Sequence, residues 1–341
     1  MRRLLLLGAL AASIAVPAAA QPLDPPSAIA VHVRDGLLDT TDLSWLKGAF
    51  SRATTAEKAD WIAALRWADA CSAAREREVR AELRAMGVES VALPHAGDND
   101  DRCFTFGVFA LRARAFADWA SFDAAARAAR TRWEIFAHGV RLGAESVPFE
   151  PGWVNGNAEA MKLLRAVVRE QAYRRAFSWR MPGQGPVQTD PEWALLEAYI
   201  SVAVGREDHR NTEMLKALIA EKGWPSIPRV GAPASNAAWL LAQHADLDPA
   251  FQLKVLRLME PLSARGEVSR SDYAYLYDRT MLKLSGKQRY ATQAHCEGGK
   301  RLPQLLEKHD AVDARRAWAG LGPLAEYLAS LDASFGPCPA N

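Results

Sequence analysis

A histidine and an acid lie close together near the end of a predicted helix, in the segment Gln243-His244-Ala245-Asp246. Imidazole titrates near neutral pH and can act as a base, an acid or a ligand. If the turn after the helix folds back, the Asp246 carboxylate binds an imidazole nitrogen and fixes the tautomer of His244. The sequence thus offers His244 as a general base and Asp246 as its orienting acid. The alternative interpretation is structural: His244 closes its helix, and Asp246 or Asp248 opens the next.

Further polar side chains interrupt a helix and a strand that otherwise carry apolar residues. Buried polar groups are costly unless they are partnered, so such a cluster indicates either a site or an internal network. We expect Gln293 or Tyr290 to donate a hydrogen bond to a developing oxyanion. On a strand, Tyr290 and Thr292 would share one side and Gln293 the other. The candidates for contact with a substrate are Gln243, Asp278, Arg279, Tyr290, Thr292 and Arg316.

Three of these candidates also have structural interpretations. Asp278 and Arg279 form a mid-helix pair, which is typical of an internal strut. Arg316 belongs to the charged group Asp313, Arg315 and Arg316, and such groups are usually solvated. Its guanidinium is nevertheless suited to a bidentate contact with a carboxylate or phosphate.

The familiar signatures of several enzyme classes are absent from the sequence. It contains no GxSxG, P-loop, HExxH or dinucleotide-binding glycine motif. Its 7 histidines and 4 cysteines are scattered, with no pair at the spacing of metal ligands. The sequence therefore predicts neither a metal nor a cofactor.

The first 20 residues have the pattern of a signal peptide. Arg2 and Arg3 precede an apolar run over residues 4–16, and three alanines end at Ala20. The run is too short to span a bilayer comfortably, so we expect cleavage, no remaining transmembrane segment and a periplasmic or secreted protein. The segment holds two of the 42 basic residues and none of the 40 acidic ones. Its removal leaves balanced charge, which argues against nucleic acid as a partner.

The four cysteines fit an oxidising compartment. Three complete pairings are possible. Proximity in the chain favours Cys71 with Cys103 and Cys296 with Cys338.

Helical periodicity dominates the rest of the chain, and the predicted fold class is mainly α. Residues 21–185 are expected to form a helical N-terminal domain of unknown role. A segment rich in proline and glycine, residues 179–186, marks the predicted boundary. Residues 186–336 are expected to form a helical C-terminal domain with a small β-hairpin, its strands at 290–295 and 300–305.

The C-terminal motifs occur in a specific order along about 120 residues, a third of the chain. They are Asn211-Thr212, Gly223-Trp224-Pro225, Val230-Gly231, Ala238-Trp239-Leu240-Leu241, Gln243-His244-Ala245-Asp246, Phe251-Gln252, Tyr275-Leu276-Tyr277-Asp278-Arg279, Gln288-Arg289-Tyr290-Ala291-Thr292-Gln293, Val312-Asp313-Ala314-Arg315-Arg316 and Gly320-Leu321-Gly322-Pro323-Leu324-Ala325-Glu326-Tyr327. This pattern resembles the bacterial family known as domain of unknown function 6624. The family usually has glycine where this chain has Ala291, and glycine would permit an unusual backbone shape or close approach of a ligand. The resemblance implies no established activity.

Two functions remain open at this level. One is an enzyme that hydrolyses or transfers a group at an amide or ester, with His244, Asp246 and Gln293 as its catalytic residues. The other is a non-catalytic helical module of the cell envelope that binds a peptide or protein in a groove between helices. In both, the partner is an unknown small molecule or peptide. Whether the polar side chains surround an open cavity or bind one another distinguishes the two.

Overall fold

The computed structural model describes residues 23–89, 92, 100–154, 156–181 and 183–340. The signal peptide predicted at residues 1–20 lies outside these described residues. The structure is 68% helical, with two small antiparallel two-stranded sheets, which confirms the mainly α fold class and the C-terminal β-hairpin.

Helices account for most of the elements in the described residues. In the described residues the α-helices are α1 (Ser27–Ala30), α2 (Thr55–Ala85), α3 (Asp101–Ala113), α4 (Trp119–Ser146), α5 (Pro151–Val154), α6 (Ala158–Arg175), α7 (Asp190–Lys222), α8 (Ile227–Val230), α9 (Ala232–Gln243), α10 (Pro249–Arg265), α11 (Arg270–Ser285), α12 (Val312–Trp318) and α13 (Leu324–Phe335). The strands are β1 (Val33–Arg34), β2 (Leu37–Leu38), β3 (Ala294–Glu297) and β4 (Lys300–Pro303), and 3-10 helices span Ser44–Ala49 and Ala176–Arg180.

Side-chain caps begin several of these helices where the sequence places them. Thr189 and Glu192 form a capping box at the start of α7, and Pro191 occupies the first turn. Ser269 accepts a hydrogen bond from the N–H of Asp272 at the start of α11. From this start α7 continues unbroken to Lys222.

Two apolar cores share the long helices. The first lies between α2, α3, α4 and the N-terminal part of α7. The second is formed by α9, α10 and α11 with residues of α2, α6 and α7. Both α2 and α7 contribute to the two cores, so these helices cross from one to the other. The division at residue 185 stays a prediction.

Disulfides join the cysteine pairs that proximity favours. Cys71 of α2 is bonded to Cys103 of α3, and Cys296 of β3 is bonded to Cys338 near the C-terminus. The second bond fastens the chain end beyond α13 to the hairpin. Among the described helices, none combines the length and apolar character needed to cross a membrane.

Candidate functional site

Asp278 of α11 binds the segment that enters the hairpin, residues 289–292. Its carboxylate is fully buried and accepts hydrogen bonds from the backbone N–H groups of Arg289 (2.7 Å), Tyr290 (2.9 Å) and Thr292 (2.8 Å). The Thr292 hydroxyl donates a further hydrogen bond at 2.9 Å. Burial raises the pKa of Asp278, and the three N–H donors oppose that effect. The carboxylate is therefore used as an internal strut, with no exposed surface for a substrate.

Arg316 of α12 holds the carbonyl side of the same segment. Its guanidinium donates to the backbone oxygens of Tyr290 (2.9 Å), Ala291 (3.1 Å) and Gly322 (2.7 Å). The side chain is 1% exposed and lies over the ring of Tyr327, 4.7 Å from its centroid. The expectation of a solvated charge is wrong, because the side chain is buried and backbone carbonyls accept from its donors. Its contact with a substrate stays a prediction.

The expected strand over residues 290–293 is not formed. β3 begins at Ala294, and Ala291 has φ +54°, in the left-handed region. The N–H groups of Tyr290 and Thr292 turn to Asp278 instead of to a neighbouring strand. Ala291 thus adopts a backbone shape that favours glycine, at the position where the resembling family usually has one.

The two glutamines beside this segment bind each other and the hairpin. Gln288 Nε2 donates to the backbone oxygens of Gln293 (2.8 Å) and Gln304 (2.9 Å), and Gln288 Oε1 accepts from the N–H of Gln293 (3.0 Å). Gln293 Nε2 donates to Thr292 Oγ1 at 3.2 Å. The amide proposed as an oxyanion donor thus already contacts its neighbour.

Asp246 lies among cations, and the expected contact with His244 is replaced. Arg279 Nε donates to Asp246 Oδ1 at 2.9 Å, and Lys283 Nζ is bonded to the same oxygen. Gln252 Nε2 donates to that oxygen at 3.3 Å and to the backbone oxygen of Gln243 at 2.9 Å. Burial alone would raise the pKa of Asp246, but Arg279 and Lys283 outweigh it and lower that pKa. Two nearby cations attract this carboxylate strongly.

His244 contacts a carboxylate of α6 instead of Asp246. His244 Nδ1 lies 2.8 Å from Oε1 of Glu170, a fully buried residue. Glu170 also binds Arg174 and accepts from Gln171 Nε2 at 2.6 Å. Burial would raise the pKa of Glu170, but His244 and Arg174 hold it below its usual range. Sequence reasoning missed Glu170, although it lies seven residues after Leu163 and four after Ala166, on their buried face.

The predicted site residues thus fall into separate groups. Asp278, Tyr290, Thr292, Gln293 and Arg316 surround the 289–292 segment, whereas Asp246 is paired with Arg279. His244 is paired with Glu170, and Gln243 is 8% exposed. In the described part of the chain, no three His, Cys, Asp or Glu side chains are placed to hold a metal ion.

An open cleft of about 780 Å³ lies beside the 289–292 segment, which contributes Arg289 and Tyr290 to its lining. Its walls come from the end of α10, the start of α11, the loops on either side of the hairpin and α12. The lining residues are Glu260, Ser263, Ala264, Tyr273, Arg289, Tyr290, Glu307, Lys308, Ala311, Ala314, Arg315 and Trp318. Of the nine predicted site residues, Tyr290 is the member of this lining.

Aromatic rings form one wall of the cleft, which we therefore call the aromatic cleft. Trp318 is 44% exposed, and its ring lies nearly parallel to that of Tyr290, with centroids 6.2 Å apart. Tyr273 meets the Trp318 ring edge-on at 6.4 Å. Tyr273 is 4% exposed, and among the described residues its hydroxyl has no hydrogen-bond partner. Burial raises the pKa of Tyr273, so the hydroxyl stays protonated and can donate.

The charged groups of the cleft differ in how far the protein itself uses them. Glu307 accepts from Tyr277 Oη (2.7 Å) and Arg289 Nε (2.9 Å). Arg315 donates to the backbone oxygens of Arg289 (2.9 Å), Asp310 (2.8 Å) and Lys308 (2.6 Å). The side chains of Glu260 and Lys308 are exposed and make no hydrogen bond to another described residue. These two groups are therefore available to a ligand.

Comparison with known proteins assigns a family relationship to the C-terminal part of the chain. Residues 187–338 match the model of a family of unknown function, DUF6624, as the sequence motifs indicate. No curated protein and no solved structure matches the chain. The matched residues include the whole lining of the aromatic cleft, whereas Glu170 lies outside them.

Proposed function

We propose that this chain is an exported, non-catalytic binding module of the cell envelope that holds a peptide in the aromatic cleft. The proposal rests on a contrast between the predicted site residues and the residues that line the cleft. Most of the side chains predicted as catalytic or substrate-binding are occupied by the protein's own groups, whereas the cleft offers an exposed Trp318 and a Tyr273 hydroxyl that has no partner among the described residues.

The size and lining of the cleft support this function. Ligand pockets are typically about 300–1,000 Å³, mostly apolar with a few polar groups that fix orientation. The cleft falls within that range at about 780 Å³. Tryptophan and tyrosine are enriched among the residues that dominate binding energy, because they bury a large area with few rotatable bonds.

The rigid attachment of the 289–292 segment also supports the proposed peptide-binding function. Tyr290 forms part of the cleft wall, and its backbone is held by Asp278 on one side and Arg316 on the other. A wall fixed before the ligand arrives loses little conformational freedom on binding. The buried polar network therefore acts as the scaffold of the cleft.

Export is part of the proposal. The signal-like pattern of residues 1–20 and the two disulfides, Cys71–Cys103 and Cys296–Cys338, both fit a periplasmic or secreted location.

The experiment is a peptide-library selection on the mature protein, followed by calorimetry with the selected peptides. Trp318→Ala is expected to weaken binding by about tenfold or more, as for an aromatic hot spot. The matched control is Trp153→Ala, because Trp153 is similarly exposed (43%) and lies on α5, away from the cleft. Selection of no peptide, or equal losses in the two variants, would refute the proposal.

A second candidate function is hydrolysis or group transfer at an amide or ester, centred on His244. The favouring observation is the His244 Nδ1–Glu170 contact of 2.8 Å, the arrangement of a base with its orienting acid. Nearby, Asp208 binds Arg174 through both carboxylate oxygens, and burial raises its pKa to about 7 against the opposing pull of Arg174. A group that titrates near neutrality suits proton transfer.

Activity profiling on peptide and ester libraries tests the second candidate. If His244 is the base, His244→Ala loses an activity that wild type shows, while His209→Ala, at an exposed histidine of α7, keeps it. Identical profiles for wild type and His244→Ala would remove the catalytic function.

A further inference from the structure

We propose that the aromatic cleft recognises the C-terminal end of a peptide whose last residue is aromatic, with the terminal carboxylate beside Lys308 and the ring against Trp318. This inference rests on the proposed function and adds the chemistry of the ligand.

The charge of the lining favours an anionic group. Three cations, Arg289, Lys308 and Arg315, face two carboxylates, Glu260 and Glu307. The Arg289–Glu307 pair is internally compensated, with a 2.9 Å contact. Arg315 is bonded to neutral carbonyl oxygens and shares the Glu307 carboxylate with Arg289, so these three side chains together carry one net positive charge.

The cleft is polarised because the positive charges of Lys308 and Arg315 lie on a different wall from the negative charge of Glu260. Lys308 and Arg315 belong to the loop before α12 and to α12 itself, whereas Glu260 lies on α10. A carboxylate is therefore attracted towards the α12 wall. The exposed ammonium of Lys308 can meet it directly, since that group has no hydrogen-bond partner among the described residues.

A ring has a place next to that anionic position. Trp318 lies on α12 with Arg315 and presents a 44% exposed indole. The small side chains of Ala264, Ala311 and Ala314 line the same cleft and leave room for a ring. The Tyr273 hydroxyl is a donor without a partner in the described residues, and a carbonyl or carboxylate oxygen of the ligand would accept from it.

The same chemistry occurs in a free aromatic acid and in a peptide end. The cleft of about 780 Å³ exceeds the volume of one amino acid, which favours the peptide. The test separates these sources with three labelled or competing probes: a hexapeptide ending in Trp with a free carboxylate, the same peptide amidated, and N-acetyl-tryptophan.

Fluorescence polarisation with the mature protein measures the affinities of the three probes, and we expect them to differ in a definite order. The free-acid peptide binds roughly tenfold more tightly than the amide, because the amide removes one charge-assisted contact. N-acetyl-tryptophan binds more weakly than the free-acid peptide. Equal binding of acid and amide overturns the inference but leaves the proposed function standing if Trp318→Ala still weakens binding about tenfold or more. N-acetyl-tryptophan as tight as the peptide also overturns it, as does a lack of binding by both peptides. The proposed function itself is contradicted only if the library selection also yields no peptide.

Charge variants supply the second readout. Lys308→Met is expected to reduce the preference for acid over amide several-fold, whereas Lys254→Met, at an exposed lysine of α10, leaves it unchanged. Glu260→Gln is expected to preserve or strengthen binding of the acid, because it removes a negative charge from the cleft. An unchanged preference in Lys308→Met, or weaker binding of the acid in Glu260→Gln, overturns the inference.

Discussion

Asp278 Oδ2 accepts hydrogen bonds from both the backbone N–H and the hydroxyl of Thr292, at 2.8 and 2.9 Å. This double contact joins the middle of α11 to the segment that carries Tyr290 into the wall of the aromatic cleft. An acid in the middle of a helix thus determines the shape of a loop that follows it in the chain.

Asp278→Ala is expected to lower the free energy of unfolding by about 3 kcal/mol or more, because it leaves several buried donors unsatisfied. Urea unfolding measures the change. The control is Asp310→Ala, at an exposed residue whose side chain makes no hydrogen bond to the rest of the described chain; we expect a change within about 0.5 kcal/mol. A loss below about 1 kcal/mol in Asp278→Ala would show that the carboxylate is not the strut of this segment.

Ala291→Gly is expected to be less destabilising than the same change elsewhere in the core. Ala291 has φ +54° and is fully buried, while Ala274 is fully buried inside α11. Both substitutions remove a buried methyl group and loosen the unfolded chain. Glycine relieves the left-handed backbone at residue 291. The loss in free energy of unfolding should therefore be about 1–2 kcal/mol smaller for Ala291→Gly than for Ala274→Gly. Equal losses in urea unfolding would mean that Ala291 carries no strain.

Asp272→Asn is expected to change how stability depends on pH. Asp272 is 8% exposed, and burial raises its pKa to about 6, with hydrogen bonds from Asn236 and the serines nearby in opposition. Because the folded-state pKa is the higher one, the favourable contribution is present below about pH 4 and is lost as the pH rises through about 6. The neutral amide removes that dependence.

Unfolding experiments at pH 4 and pH 7.5 check this prediction. At pH 7.5 the Asn variant should be more stable than wild type by about 2 kcal/mol, and the gain should shrink towards pH 4. Asp310→Asn is the matched control and should show the wild-type profile. A gain that is the same at both pH values would assign the effect to packing.

His244→Ala is expected to lower the free energy of unfolding by about 1–3 kcal/mol, because it removes a partner from the buried Glu170 carboxylate. Peptide binding at the cleft should be unaffected. His138→Ala, at an exposed histidine of α4, should leave stability unchanged. Full stability of His244→Ala would argue that His244 is retained for chemistry.

Local signals made much of the helical fold predictable. The capping box of α7 and the apolar stripe of α10, which includes Phe251, Val255 and Met259, are encoded within a few residues. Gly205 lies inside α7, although glycine lowers helix propensity. The structure shows that a Cβ at this glycine would lie 2.5 Å from the ring of Phe104, so close packing of α3 explains it.

The candidate site was less predictable because its contacts are distant in sequence. The pairing of His244 with Glu170 spans 74 residues, and no local spacing indicates which acid reaches the imidazole. Arg316 looked like part of a surface charge group because its partners are backbone carbonyls of residues 290 and 291. The cleft itself depends on Trp318 and Tyr273 approaching from separate helices.

Photo-crosslinking tests the central claim most directly, using a selected peptide with a benzophenone beside its last residue and mass spectrometry to locate the adducts. The account predicts adducts on the cleft lining, on residues 260–264 and 307–318, that are lost on competition with unlabelled peptide. Adducts concentrated around Glu170 and His244 would contradict it.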